Sequence, residues 1–341
     1  MSSNPTIQTV EGIDKHPVPG ATLDALDLKK VATHVEQAVA RGRYKGPTEP
    51  KNYLLRKKCL VEFDGQLQAT LAGIMCFGQS PQDFFPRGVI DIGHFRGIET
   101  VSYDVVHLEK DIDGTIFDQL SRVESYLWTN THHGMTLSDG SFQRVEVHEY
   151  PQIVIRELCV NMIAHRDYLN MQSAARVSLF RNRIEWSSPG GLPAQVTVEN
   201  ILDEQCSRNP VILSVLHEAG YVEAFGQGLN TVVNVLKDDG LLPPNFRDTG
   251  ASFTVTVYGR AWEVVGGEGM FTNLSDAQRK LLSFVRVQRE ASVADMEHHF
   301  PDRSRRSLQR DLQRLVDARL LDLVGEGRGS RYRLPATDGV R

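Results

Sequence analysis

The sequence predicts an α+β protein with more than one domain, and three features of the chain carry this prediction. Its 341 residues exceed the length that a single hydrophobic core usually organises. Between residues 151 and 258, an apolar helix, a strand pair, two further helices and a final strand follow one another, which is an α+β order. A segment with four glycines then precedes a shorter region with three predicted helices and a strand pair.

The composition is that of a water-soluble globular protein. Hydrophobic residues make up 40% and charged residues 24% of the chain. No apolar run approaches the roughly 20 residues that span a bilayer, so we expect no membrane contact and a cytoplasmic location. The four cysteines are scattered without a CxxC pair, which favours reduced, structural thiols over a metal site.

The first third of the chain begins with a segment that lacks a periodic pattern. Residues 1–21 contain three prolines and no repeating apolar position, so we expect a tail that is poorly ordered or docked. Asp27 is placed to cap a helix with one apolar face, which ends at Gly42. Residues 67–78 are predicted to be a second helix or a buried segment. Further on, the pattern predicts a strand pair over 89–106 and a helix over 117–127.

The central region contains the clearest secondary-structure signals. Pro151 opens a strongly apolar helix that runs to about Arg166. Two strands turn at Asn182 and are followed by the Gly/Pro-rich bend SSPGGLP. Helices are predicted at 211–217 and 229–236, a strand at 252–258, and a linker at 259–273.

The C-terminal region, residues 274–335, has the pattern of three short helices and two strands. Ser275 is placed to cap the first helix, the second is predicted over 293–300, and the third starts near Ser304. In the third helix, leucines recur at spacings of three and four and leave a polar face outward. Strands predicted at 320–324 and 332–334 enclose a glycine-rich turn. This arrangement resembles the winged helix-turn-helix of DNA-binding regulators.

The outward face of the third helix carries donors suited to duplex DNA. Arginine can bond guanine bidentately, glutamine can do so with adenine, and a helix N-terminus favours phosphate. From residue 274 onward, 14 Lys and Arg stand against 10 Asp and Glu, whereas the whole chain has a net charge of -5. The predicted DNA-binding residues are Ser304, Arg305, Arg306, Gln309, Arg310, Arg328 and Arg331. The alternative is that these arginines are a solvated face of a protein-binding winged helix.

One face of the apolar central helix carries polar side chains that need partners. Glu157, Asn161 and His165 recur every four residues and therefore share a face. A carboxylate and an amide oxygen can hold a hydrated Mg²⁺ and orient a water. The alternative is a satisfied core network, with the later glycines serving only tight turns.

Three strings in the central region resemble a known family. They are RELCVNMIAHRDY, SSPGGLP and RNPVILSVLHEAGYVEAFGQGL. In this order they resemble the ATP-binding-like domain of bacterial regulators related to the C-terminus of the helicase RecG. That domain is in turn similar to the Bergerat fold of gyrase, histidine kinases and MutL. The resemblance implies a Bergerat-like α/β sandwich over residues 81–258, after a helical connector over 22–80.

The resemblance implies a role for each matching residue. Glu157 stands where that fold keeps its general base, and Asn161 where it keeps its Mg²⁺ ligand, so the implied cofactors are ATP and Mg²⁺. The residues implied in nucleotide binding are Asn161, His165, Asp167, Ser187, Gly190, Gly191, Gly226 and Gly228. Gly190 and Gly191 would form the glycine box beneath the adenine, and Gly226 and Gly228 would open the phosphate lid.

Two departures from the family pattern bear on these roles. The Bergerat fold anchors the adenine with an aspartate just before the first glycine box, where this chain has Ser187 and Ser188. A serine can hydrogen-bond directly or through water, so affinity or base choice is expected to differ. Many relatives also carry an AlbA-like DNA-binding domain of the Schlafen type ahead of this region, and we expect none before Thr22.

The combined interpretation is a DNA-binding transcriptional regulator whose α/β domain binds ATP or a related ligand and modulates DNA binding. A homodimer is expected, because two winged helices on a palindromic site gain effective concentration. The alternatives are a Bergerat-type ATPase in DNA metabolism, with weak ATP turnover, and a regulator with a degenerate nucleotide pocket. The chain contains no GxxxxGK[ST] phosphate loop, so a motor helicase is excluded.

Overall fold

A computed structural model describes the protein over nine ranges that separate into two compact units. The ranges are 12–100, 104–137, 144–193, 195–204, 206–222, 228–260, 275–317, 320–325 and 329–334. The first unit consists of residues 1–129, 153–232 and 245–256, and the second of 130–152, 233–244 and 257–341. The chain therefore leaves and re-enters the first unit inside the region predicted as one domain over 81–258.

The described ranges contain both helices and strands along their whole length. The α-helices are α1 Leu28–Ala40, α2 Pro50–Lys57, α3 Leu71–Phe77, α4 Pro81–Phe84, α5 Ile116–Asn130, α6 Gln152–Ala164, α7 Pro210–Glu218, α8 Gly228–Asp238, α9 Asp276–Gln288, α10 Val293–His299 and α11 Arg305–Asp317. The strands are β1 Pro17–Thr22, β2 Leu60–Phe63, β3 Gln66–Thr70, β4 Ile90–Phe95, β5 Val105–Ile112, β6 His133–Leu137, β7 Arg144–His148, β8 Ala175–Leu179, β9 Arg183–Pro189, β10 Asn245–Asp248, β11 Ser252–Tyr258, β12 Glu290–Ala291, β13 Asp322–Val324 and β14 Arg331–Arg333.

The segment expected to be a tail contains secondary structure that belongs to the first unit. Strand β1 pairs antiparallel with β3 in a three-stranded sheet of order β1-β3-β2. Just before it, the fully buried Asp14 accepts hydrogen bonds from the amides of Val211 (2.8 Å) and Ile212 (2.9 Å) at the start of α7. Of the two expectations for this segment, residues 12–21 follow the docked one, because their partners lie far away in sequence. Distant partners leave no local periodicity, which is why the sequence could not separate the two.

Helix α1 follows the sequence expectation closely. The Asp27 side chain accepts hydrogen bonds from the amides of Lys29 and Lys30, which is the predicted cap. Val31, Val35 and Ala38 are buried on one face. The region expected to be a helical connector nevertheless also contains strands β2 and β3, which form a hairpin.

The main sheet of the first unit has six strands in the order β10-β11-β9-β8-β4-β5. Strands β4 and β8 are parallel, whereas β8 with β9, β4 with β5 and β10 with β11 are antiparallel. Helix α6 lies on one face of this sheet. There, Trp186 donates from Nε1 to Cys159 Sγ at 3.3 Å, and Ser188 donates from Oγ to the Met162 carbonyl at 2.9 Å. The mixed sheet and its helices agree with the predicted α+β class.

The C-terminal part of the second unit is built from α9, α10, α11 and a three-stranded sheet of order β12-β14-β13. Ser275 and Gln278 form a capping box at α9, and Ser292 and Asp295 form one at α10. The three helices and the sheet share a buried core, whose leucines from α11 were expected. Strand β12 was not predicted, because two residues are too short for a periodic signal.

The rest of the second unit includes the antiparallel hairpin of β6 and β7. Arg260 and Asp239 form an ion pair at 2.9 Å in the same unit. Across the described ranges, no helix combines the length and the apolarity that a membrane span requires.

Candidate functional site

A cavity of about 650 Å³ lies in the first unit beside α6 and β9. Its polar lining residues include Glu157, Asn161, His165, Ser188, Glu204, Ser207, Arg208, Ser214, His217, Asn230 and Thr231. Its apolar lining includes Leu158, Met162, Trp186, Ile201, Leu213, Leu229, Phe253 and Val255. This volume and this mixture of an apolar wall with a few polar groups are typical of small-molecule sites.

The predicted polar face of α6 is turned into this cavity. Glu157, Asn161 and His165 all line it, as their four-residue spacing requires. The Asn161 Nδ2 atom is buried and has no hydrogen-bond partner among the described residues. Because a buried polar group without a partner costs free energy, this atom is suited to a ligand that supplies the missing acceptor.

His165 is held in its neutral form by its surroundings. Burial, and after it the positive charge of Arg208, together lower its pKa to about 4. The imidazole is therefore uncharged at neutral pH, and it can accept or donate a hydrogen bond without adding charge to the cavity.

The Gly190–Gly191 turn closes one end of the cavity, and Gly190 adopts a φ of +93°, which favours glycine. The Gly190 amide donates to the Ala251 carbonyl at 2.9 Å, and the Gly191 amide donates to the Gly250 carbonyl at 3.1 Å. These donors serve the backbone, so the turn offers a ligand close approach rather than free amides. Close approach of this kind suits a flat group that lies against the turn.

Arg208 is a cavity residue that the sequence reasoning missed. Its Nη2 donates to the Gly191 carbonyl at 2.6 Å, and its Nη1 lies 3.4 Å from Asp167 Oδ2. The neighbouring Asn209 is fully buried and donates to the carbonyls of Ala164 (3.1 Å) and Arg166 at the end of α6. The sequence signal that could have revealed Arg208 is the string RNP. Its asparagine, Asn209, places Arg208 against the end of α6.

Two of the predicted nucleotide-binding residues do not line the cavity. The Ser187 hydroxyl accepts a hydrogen bond from Thr254 Oγ1 at 3.1 Å, and Ser188 is the serine that lines the cavity. Neighbouring strand residues point to opposite faces, so only one of the pair can do so. Asp167 pairs with Arg208 and accepts from the Leu169 amide at 3.0 Å, which makes it a support for that guanidinium.

At Gly228 the start of α8 lies close to the polar face of α6. A Cβ atom at this position would lie 2.7 Å from Glu157 Oε2 and 3.5 Å from Asn161 Nδ2. The first distance is too short for an unmoved Glu157 carboxylate, whereas the second is an ordinary contact, so the absence of a side chain at Gly228 leaves room for Glu157. Gly226, predicted to act with Gly228, lies outside the described residues.

Helix α11 carries most of the predicted DNA-binding residues on its exposed side. Ser304 accepts from the Ser307 amide at 3.3 Å and so caps the helix. Arg306 and Gln309 are exposed, and no ion pair of Arg306 is found within the described ranges. Arg305 is exposed but pairs with Glu297 of α10 at 2.7 Å.

The remaining predicted cations stand near carboxylates. Arg310 Nε lies 3.6 Å from Asp311 Oδ1, and Arg331 Nε on β14 lies 3.8 Å from Glu290 Oε1. More than half of each of these two arginine side chains is exposed, so solvent screens both pairs. Arg328 lies outside the described residues.

Part of the chain matches a known sequence family. The sequence family described as "Putative ATP-dependent DNA helicase recG C-terminal" matches residues 172–257. This part of the chain resembles an ATPase-type domain. The match supports nucleotide binding by the first unit. It begins after α6, so the assignment of Glu157, Asn161 and His165 depends on the cavity geometry.

Comparison with solved structures supports the fold alone. The crystal structure of the DIP2311 protein from Corynebacterium diphtheriae matches with a TM-score of 0.59 and 18% identity. The match covers 95% of this chain and 64% of that protein, so this chain spans less than two thirds of its length. No curated protein sequence shows significant similarity to the chain.

Proposed function

We propose that this protein is a DNA-binding transcriptional regulator whose α/β unit binds ATP or a related nucleotide and thereby modulates DNA binding. The observation that carries the proposal is the unpartnered Asn161 amide, which faces a cavity of about 650 Å³ beside Glu157. The ATPase-type family match over residues 172–257 points to the same ligand.

The chemistry of the lining residues fits a nucleotide bound with Mg²⁺. Asn161 and Glu157 offer the oxygen-bearing side chains that this ion favours, and Arg208 supplies the positive charge that an anionic group needs. Bound Mg²⁺ would neutralise phosphate charge. The Gly190–Gly191 turn and the apolar wall around Trp186 would receive the base, with Ser188 as the nearby hydrogen-bonding side chain.

The DNA half of the proposal is a winged helix-turn-helix formed by α9–α11 and the sheet of β12, β13 and β14. Its support is the order of these elements and the exposed donors Arg306 and Gln309 on α11. In this geometry α11 would enter a major groove and the β13–β14 turn would meet the phosphate backbone. We further propose a homodimer on double-stranded DNA, because paired half-sites raise the effective concentration.

A nucleotide sensor binds ATP without hydrolysing it, whereas an ATPase also hydrolyses it, so ATP binding and ATP turnover are measured separately. Titration calorimetry with ATP and Mg²⁺ is expected to give saturable binding to the full chain that Asn161→Leu abolishes. A Glu157→Gln variant distinguishes the two functions, because it keeps the size of the side chain and removes the carboxylate that a general base needs. Turnover that disappears in this variant would favour the Bergerat-type ATPase, whereas absence of any ATP binding would end the proposal.

The DNA assignment is tested by removing charge from α11. A double variant Arg306→Ala/Arg310→Ala is expected to weaken binding to a random-sequence duplex library by about 10- to 100-fold. The matched control is Arg247→Ala, since this exposed arginine lies on β10 in the first unit. An unchanged mobility shift in the double variant would overturn the recognition-helix assignment.

A further inference from the structure

A second cavity of the first unit, of about 1010 Å³, has five positively charged side chains among its lining residues. We call it the basic cleft. Its charged lining residues are Lys29, Lys30, Arg41, Arg43, Arg156 and Asp118. Five cations against one carboxylate give a strongly positive surface on a chain whose net charge is -5. Such a local concentration of charge attracts anions.

One face of α1 forms a wall of the basic cleft. Lys29, Thr33 and Gln37 recur every four residues and all line it, and Arg41 follows at the C-terminal end of the helix. Their spacing places them in one row along the helix. The cleft therefore presents polar and cationic groups along about three turns of α1.

Two of the five cations already serve the protein backbone. Arg43 Nη1 donates to the carbonyls of His217 (3.1 Å) and Val222 (2.8 Å), and Arg156 Nη2 donates to the Gly220 carbonyl. These contacts hold the segment that follows α7. Arg43 and Arg156 thus shape the cleft by holding the backbone that lines it.

The other three cations are placed to meet a ligand. Lys30 pairs with Asp118 at 2.9 Å, but both side chains are about half exposed, so this bond is weak. Lys29 and Arg41 are exposed, and neither has an ion pair among the described residues. The contact given for the Arg41 guanidinium is to the neutral Gln37 at 3.4 Å.

We propose that the basic cleft binds a small molecule bearing two or more phosphate groups. Charge-assisted bonds from ammonium and guanidinium groups are the usual means of holding phosphate oxygens. Two or more phosphate groups would let one ligand meet more than one of the cleft's cations at the same time, which a single phosphate does less well. The residues are distinct from those of the 650 Å³ cavity, so this proposal stands whether or not that cavity takes ATP.

The test uses pyrophosphate as the probe and the full chain. Isothermal titration is expected to give binding that a double variant Lys29→Gln/Arg41→Gln weakens at least tenfold. Glutamine keeps these exposed side chains polar while removing their charge, so folding is expected to survive, and a thermal unfolding curve checks it. The control is Lys51→Gln, an exposed lysine on α2 outside the cleft, which is expected to bind pyrophosphate as the parent does.

Hydrogen exchange locates the bound probe. Pyrophosphate is expected to slow amide exchange over α1 and residues 216–222 in both the parent chain and an Asn161→Leu variant. Equal affinity in the parent and the double variant, or protection confined to α6, would overturn the proposal. Displacement of pyrophosphate by a short duplex DNA with retained cleft protection would also overturn it, because the cleft would then take a nucleic-acid backbone.

Discussion

The polar side chains of the 650 Å³ cavity and those of helix α11 differ in how far they are buried and in how they are paired. In the cavity, most polar side chains are half-buried, and at least one donor atom, Asn161 Nδ2, is buried and has no partner in the described chain. On α11, the arginines are exposed to water, and they range from Arg305, paired with Glu297 at 2.7 Å, to Arg310, which lies 3.6 Å from Asp311. The first arrangement suits one ligand of defined shape, whereas the second suits a long, uniformly charged partner.

This difference has an energetic meaning. A buried unpaired donor destabilises the ligand-free protein until a ligand satisfies it, so stability and binding are linked at the cavity. Exposed arginines contribute little to folding, and their effect on binding depends on ionic strength. Substitutions at the two regions are therefore expected to differ in which measurement responds.

The largest effect is expected at Gly190. In Gly190→Ala the new Cβ would lie 2.2 Å from Arg208 Nη1 and 2.8 Å from Asp167 Cβ, at a φ of +93°. We expect a loss of about 2–4 kcal/mol in the free energy of unfolding, measured by urea denaturation, together with loss of ATP binding. The control is Gly329→Ala, where no atom lies within 4 Å of the new Cβ. Equal stability in the two variants would contradict the close-packed turn.

The second-largest effect is expected on the pH dependence of stability, at His165. The pKa of His165 is lowered to about 4, so between that value and its ordinary range near 6.5 the unfolded chain binds more protons than the folded one. The stability that depends on the neutral imidazole is therefore complete above pH 6.5 and is lost as pH falls toward 4. In His165→Gln we expect the fall in unfolding free energy over this range to be smaller by about 1–2 kcal/mol. Parallel pH profiles of the parent and the variant would refute it.

A smaller change of opposite sign is expected at Asn161. Asn161→Leu replaces an amide whose Nδ2 is buried and unpartnered with an apolar side chain of similar size. Thermal unfolding of the ligand-free variant is expected to show a gain of about 1 kcal/mol, and addition of ATP with Mg²⁺ should no longer raise its melting temperature. A less stable variant that still responds to ATP would mean that the amide serves the fold.

The smallest effect on stability is expected on α11, where the two neighbouring arginines differ. Arg305 pairs with Glu297 at 2.7 Å, whereas Arg306 has no ion pair within the described ranges. Each alanine variant should change the unfolding free energy by less than about 0.5 kcal/mol. In fluorescence anisotropy with duplex DNA, Arg306→Ala should reduce the salt-dependence slope by about 1 and Arg305→Ala by less. Equal slopes would show that Glu297 does not compensate Arg305.

Local patterns in the sequence predicted much of the fold. The caps of α1 and α9 were visible because a capping side chain lies within a few residues of the amides that it bonds, as with Asp27 and Ser275. The polar face of α6 was predicted for the same reason, since a four-residue spacing fixes direction on a helix. These are the features that lie on one element.

Features that depend on distant partners could not be predicted in the same way. Nothing local signals that β1 pairs with β3, or that β4 lies parallel to β8. Which of Ser187 and Ser188 faces the cavity follows from the orientation of β9 relative to α6, and the role of Arg208 follows from a turn that two separate segments build. Such information arises only when the elements pack.

The bond between Asp14 and the start of α7 has a consequence for how this protein can be divided. Asp14 caps a helix whose first residues lie almost 200 positions further on, and that helix contributes Leu213, Ser214 and His217 to the 650 Å³ cavity. Cleavage between Asp14 and Thr22 would leave the amides of Val211 and Ile212 without their acceptor. A protease that removes these early residues would thus weaken a wall of the pocket formed by a far later part of the sequence.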